Sequence, residues 1–396
     1  MKAGAFIDVN AAGYAPSDYT PLQLVKDVLI SSGTNSCVTP TVSNVQVSPN
    51  LPATNAQRSW GYFHKGTTNF PFQDGIVLST GYANKAGNNY ISSTLGDDLP
   101  TGSDPDLVAA TNPSATLNDA VILEFDFVPT SSQVKFNYLF ASEEYTGSFP
   151  CSFSDAFALL LRPTAGGPYV NMAILPAPGT GPVSVTNIHP QDSFTGFDMG
   201  CGAPNVSFFG GYNTSNIETN FNGRTVPLQA TATVVPGQSY HFKMVLADAI
   251  DSSYDSAVFL EGGSFNIGVE LLDPNGGTLP EEINVCDNIP QVITASVNDP
   301  NMNYQWFYNG VAIQGATTPT ITATQPGNYE IQVTFPGNPC PGKASIKING
   351  GTTPATAGGE AGTTVQVGLG SSSTGGGGAG VAQPAGPGVI ERTDNV

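Results

Sequence analysis

Alternation is the feature that most limits this chain. In Val121-Ile122-Leu123-Glu124-Phe125-Asp126-Phe127, the apolar residues Leu123, Phe125 and Phe127 recur every second position with Glu124 and Asp126 between them. A period of two sends successive side chains to opposite faces of a strand, here one towards a core and one towards water. Further alternating or continuously apolar runs occupy 76–79, 134–140, 156–161, 240–247 and 257–265, separated by Gly, Asn, Asp and Pro. Such runs read as strands joined by turns. Gly 46 and Pro 32 among 396 residues punctuate the chain too often for a helical bundle. One helix is expected over 21–29, where Thr20-Pro21 supplies a cap and a first-turn proline and Leu22, Val25, Val28 and Leu29 recur at helical spacing. Strands without intervening helices indicate an all-β fold, an antiparallel, jelly-roll-like β-sandwich with one short N-terminal helix.

The composition shifts after Val269. The expected organisation is a first sandwich over 1–270, a linker over 271–280, a smaller domain over 281–349, and a Gly/Ser/Thr-rich tail or arm over 350–396. In the smaller domain, Cys286, Tyr304-Gln305-Trp306, Gly327-Asn328-Tyr329 and Cys340 follow one another as in an immunoglobulin-like sandwich, and the stretch resembles bacterial Ig-like repeats. The position two after Tyr329 is Ile331 where the antibody pattern has Cys. A Cys286–Cys340 bridge would therefore join the ends of this domain. In the tail, Thr363-Thr364-Val365-Gln366-Val367 is the strand-like piece available for pairing with a neighbouring copy.

Charge excludes one class of partner. With 31 Asp+Glu against 12 Lys+Arg, the formal net charge is −19 although only 11% of residues are charged. A nucleic-acid binder needs the opposite balance. No stretch approaches the ~20 apolar residues of a membrane span, so direct membrane insertion is not expected. The five cysteines are widely spaced with no CxxC pair, which favours disulfides over zinc and an extracellular or outer-surface location. Cys151 is expected to bridge to Cys201, clamping the loop 143–155 to the excursion 198–205 and leaving Cys37 over.

Catalytic signals are sparse: three histidines, His64, His189 and His241, and no HExxH, GxSxG or phosphate loop. His241 alternates with Phe242 in a strand and reads as structural. Acidic residues gather at strand ends: Glu143 and Glu144, then Asp155; Asp248, Asp251 and Asp255; and Gly96-Asp97-Asp98 followed by Ser103-Asp104-Pro105-Asp106. Clustered carboxylates raise one another's pKa unless a cation offsets them. Calcium takes such oxygen ligands without strict geometry, so Glu143, Glu144, Asp155, Asp248, Asp251 and Asp255 are candidate calcium ligands, against the alternative of solvated acidic turns. A glycosidase pair is a further alternative, but adjacent Glu143 and Glu144 point to opposite faces of an extended segment. Trp60, Tyr62, Tyr82 and Tyr90 would serve as a sugar platform or as core and rim.

Leu123 to Pro129, Phe140-Ala141-Ser142-Glu143-Glu144-Tyr145, Phe153-Ser154-Asp155-Ala156-Phe157, Ala247-Asp248-Ala249 and Tyr254 to Glu261 together resemble the choice-of-anchor L domain, over roughly residues 5–268. That resemblance implies a large secreted or surface protein of bacteria, notably Bacteroidetes, carried beside Ig-like repeats and delivered by type IX secretion or another anchor. It carries over no catalytic residues. The expected function is a non-enzymatic extracellular adhesin or surface-filament module, calcium-stabilised, with a surface glycan or protein as ligand. The alternatives are a self-assembling fibre subunit that exchanges its C-terminal arm and a carbohydrate-binding or glycoside-hydrolysing domain.

Overall fold

The computed structural model describes residues 5–30, 41–50, 57–111, 116–129, 132–214, 218–250, 252–265, 268–286, 290–334 and 342–351. The chain forms two compact units, the first built mainly from residues up to Glu270 and the second starting at Leu271.

Two sheets make the first unit. One runs in the order Asp8–Val9, Trp60–His64, Asp74–Ser79, Ser256–Glu261, Gln133–Ser142, Gly223–Thr225, Phe209–Tyr212, with Leu228–Thr233 also paired to Gln133–Ser142. The other runs Thr41–Ser48, Leu117–Val128, Tyr240–Ala249, Ala156–Pro163, Val170–Asn171. Strand neighbours pair antiparallel, as in Phe242↔Phe125 and Phe259↔Leu139. The shared core holds Leu123, Phe125 and Phe127 from one sheet and Phe136, Tyr138 and Phe140 from the other. An all-β antiparallel sandwich is thus the observed fold.

The continuously apolar run at 156–161 has a physical cause: both of its faces are covered. Leu159 and Leu161 enter the inter-sheet core, whereas Ala158 and Leu160 pack with Leu107 in a second cluster on the outer face. Leu107 belongs to an α-helix, Pro105–Thr111, that the sequence reading missed. Asp104 Oδ1 accepts from the N–H groups of Asp106 and Leu107, both at 3.0 Å. The supposed acidic cluster is therefore partly a capped helix start with proline in its first turn. The expected helix at 21–29 is present as one α-helical turn, Pro21–Gln23, that widens into a π-helical stretch, Leu24–Leu29. Thr20 and Gln23 form a reciprocal capping box.

Glu124 and Asp126 take the face away from the core, as the alternation indicates, and there both flank His241. Its Nδ1 lies 2.7 Å from Asp126 Oδ1 and its Nε2 3.4 Å from Glu124 Oε2. The expected strand 257–265 stops at Glu261, where Gly262-Gly263 turns the chain, Gly263 with φ +69°.

In the second unit, a three-stranded sheet of Leu271–Leu272, Gln291–Ala295 and Thr320–Ala323 accompanies a five-stranded sheet ordered Glu282–Cys286, Gly342–Gly351, Gly327–Thr334, Asn303–Tyr308, Val311–Ala312. The stretch read as a linker, 271–280, opens as a strand and then turns tightly, with Asp273 Oδ1 accepting from the N–H groups of Asn275 and Gly277. Trp306 is fully buried and donates its indole N–H to the Thr318 carbonyl at 2.9 Å. Cys37, Cys340 and the tail beyond 351 lie outside the described residues, so the Cys286–Cys340 bridge and the strand-like piece 363–367 do too.

Candidate functional site

The acidic residues singled out in the sequence converge at one end of the first sandwich, and their oxygens are turned inward. Glu143 and Glu144 sit in the turn after Gln133–Ser142, Asp155 precedes Ala156–Pro163, Asp248 lies near the end of Tyr240–Ala249, and Asp255 precedes Ser256–Glu261. All five are buried. Asp251 lies outside the described residues.

Their hydrogen bonds go mainly to backbone. Glu143 Oε1 accepts from Leu95 N–H at 3.0 Å, Asp255 Oδ1 from Asp97 N–H at 3.0 Å, and Asp119 Oδ1 from Leu99 N–H at 3.1 Å. Three carboxylates from three segments thus hold alternate amides of one extended loop. Elsewhere Glu144 Oε2 accepts from Asp155 N–H at 3.0 Å, and Asp155 accepts from Ala249 N–H at 3.1 Å and from the Ser256 hydroxyl at 2.5 Å. A buried amide left without a partner is costly, and the bonds to Leu95, Asp97 and Leu99 remove that cost for a loop with no strand to pair with. Gly81 is part of the same packing: a Cβ there would lie 1.9 Å from Asp255 Oδ2.

Asp248 differs. Neither of its carboxylate oxygens makes a hydrogen bond of normal geometry. Burial and the neighbouring Asp155 hold its carboxyl well above the ordinary range, and the Thr80 hydroxyl opposes them. Burial likewise pushes Glu143 to about 7 and Asp119 to about 6. Asp255 is pushed to about 8, first by burial, with Asp97 and Asp155 adding like charge.

Bases absent from the immediate cluster are used around it. Lys243 Nζ lies 2.6 Å from Asp104 and 2.7 Å from Asp106, and Lys85 Nζ lies 2.5 Å from Asp97. Among the described residues, no three His, Cys, Asp or Glu side chains gather in an arrangement that could hold a metal ion. Glu143 and Glu144 diverge, one to Leu95 and the other to Asp155. The sequence reading did not include Asp119 among the candidates, because its partner is a backbone amide twenty residues away. The one available signal was its isolated place before an apolar strand.

Beside this end of the sandwich lies a cavity of about 260 Å³, lined half by polar residues, among them Thr111, Ser152, Ser154 and Asp155, and half by apolar ones, among them Phe157 and Val183. The Cys151–Cys201 disulfide, expected from the sequence, is present and adjoins that wall through Ser152. Of the aromatic candidates, Trp60 and Tyr62 are core residues, Tyr82 is half-buried and Tyr90 is exposed. No helix among the described residues is long and apolar enough to cross a membrane.

A family model described as the choice-of-anchor L domain matches residues 9–266. A search of curated proteins finds no match. Among solved structures, the titin Ig tandem domains A164-A165 are 10% identical over 30% of this chain and 72% of that one, with a TM-score of 0.17. A β-1,2-glucanase from Parabacteroides distasonis is 9% identical over 62% of this chain and 34% of that one, with a TM-score of 0.14. Similarities this weak carry no argument.

Proposed function

We propose, for a chain that belongs to the choice-of-anchor L domain family and with it to the surface-associated proteins of bacteria, a non-enzymatic role as an extracellular adhesive or filament module. One observation carries this reading: the buried carboxylates at the sandwich end are engaged by the protein's own amides. Glu143, Asp255 and Asp119 fix 95–99, and Asp155 ties Ala249 to Ser256. A general acid and its partner must reach the reacting atoms. Carboxylates committed to loop backbone support a rigid display scaffold instead. The second unit, with Trp306 at its centre, serves in this reading as an Ig-like spacer, and the ligand is a surface glycan or protein.

The test is to screen the full chain against immobilised glycans and matrix proteins while assaying the same glycans for hydrolysis. Saturable binding without turnover is expected, and turnover of any glycan would overturn the reading.

The rival reading, in which the module is calcium-stabilised and these carboxylates are ion ligands, has one observation in its favour: Asp248, whose oxygens make no hydrogen bond of normal geometry, faces Asp155. Elemental analysis of dialysed protein tests it: stoichiometric calcium supports it, and metal-free protein with unchanged melting removes it.

A further inference from the structure

The two sulfurs of the Cys151–Cys201 disulfide sit in unlike surroundings. Cys201 Sγ lies 3.8 Å from Nε2 of His189, a residue only 1% exposed. His189 Nδ1 lies 2.8 Å from the Pro190 carbonyl oxygen. A carbonyl only accepts, so Nδ1 carries the proton and Nε2 presents its lone pair towards the sulfur. That contact gives Nε2 no hydrogen bond while the disulfide is intact, because a disulfide sulfur has no proton to offer. Cys151 Sγ lies 3.5 Å from the Met199 carbonyl oxygen, which would repel a thiolate. The disulfide joins an exposed residue, Cys201, to a half-buried one, Cys151.

We propose that this disulfide is a thiol-exchange site at which a thiol-bearing partner becomes covalently attached to Cys151, with His189 positioning Cys201 as the departing sulfur. The incoming thiolate forms a new S–S bond to Cys151 Sγ as the Cys151–Cys201 bond breaks. The electron pair of the broken bond leaves on Cys201 Sγ. The proton lost when the incoming thiol ionised is returned from solvent and shared between Cys201 Sγ and His189 Nε2. No external oxidant is needed, since one disulfide replaces another. The direction follows from leaving-group chemistry: the sulfur whose thiolate is better stabilised departs faster, and His189 supplies that stabilisation when Nε2 takes the proton returned from solvent and donates it towards Cys201 Sγ, Nδ1 keeping its own. The inference stands on these residues alone and does not depend on the adhesive role.

The test uses the full native chain with two probes, reduced glutathione and a protein bearing one surface cysteine, each quenched by alkylation and read by peptide mapping. The expected result is an adduct on Cys151 with Cys201 alkylated, formed about tenfold more slowly and with both cysteines carrying adduct in His189→Gln. Adducts with both probes extend the site to protein partners; adducts with glutathione alone restrict it to small thiols. Adduct mainly on Cys201 of the unmutated chain, equal rates in the variant, or exchange only in denaturant would overturn the proposal. Should His189→Gln fail to fold, the position of the adduct on the unmutated protein decides.

Discussion

The backbone N–H of Glu143 donates to the carbonyl of Asp255 at 3.1 Å, and the side chains of these two residues take alternate amides of a single loop, Leu95 and Asp97. Two strand ends are thereby locked to each other and to the segment that closes over them. The acids behave as backbone surrogates, supplying acceptors where no further strand pairs.

Removing one acceptor separates this role from a purely electrostatic one. Glu143→Ala strands a buried Leu95 amide and is expected to cost about 1–3 kcal/mol. Glu143→Gln keeps an amide oxygen in place and removes the buried charge, so it should be neutral or stabilising at pH 8. Denaturant titration of both variants checks the contrast.

Asp248→Asn is expected to stabilise the protein increasingly as pH rises, because it removes a buried acid whose ionised form is opposed by burial and by Asp155. Thermal melting measures the shift. A loss of stability would indicate that the charge is needed there.

Gly81→Ala should destabilise by about 1–3 kcal/mol, the usual range for overpacking. The new methyl would meet a buried carboxylate already bonded to Asp97. In an Asp255→Ala background the cost of Gly81→Ala should shrink, a coupling that a double-mutant cycle reads directly.

Lys243→Met leaves Asp104 with no cation at 2.6 Å and removes the partner of Asp106. The lysine and Asp104 side chains are each 7% exposed, so the expected cost is about 3–5 kcal/mol. The hydrogen-exchange protection of the Pro105–Thr111 helix should fall with it.

The sandwich was legible because alternation such as Leu123, Phe125, Phe127 reports a covered face directly. The acidic strand ends were legible as a group for the same reason: they interrupt apolar strands. Their role was hidden, since the partners of Glu143, Asp255 and Asp119 are backbone amides, which have no sequence signature. Asp104-Pro105 read as charge rather than as a helix start because the helix it opens, Pro105–Thr111, is too short to show a periodic apolar face. The Cys151–Cys201 pairing emerged from cysteine arithmetic, whereas His189 beside it could be found only in three dimensions.

The most direct test of structural carboxylates is melting temperature against pH, in calcium and in chelator. Glu143, Asp255 and Asp119 have folded pKa values raised to about 7, 8 and 6 from ordinary values near 4. The folded state therefore holds protons that the unfolded chain has released. Their contribution is fully present below the unfolded values and is lost as pH rises through 6 to 8. His241, raised by Glu124 and Asp126, acts in the same direction, while Glu124, lowered chiefly by His241, loses its contribution only in acid. The melting temperature is expected to fall between pH 5.5 and 8.5, with coincident curves in calcium and chelator. A melting temperature that rises in calcium at pH 8.5 and drops on chelation would contradict it and make these carboxylates ion ligands.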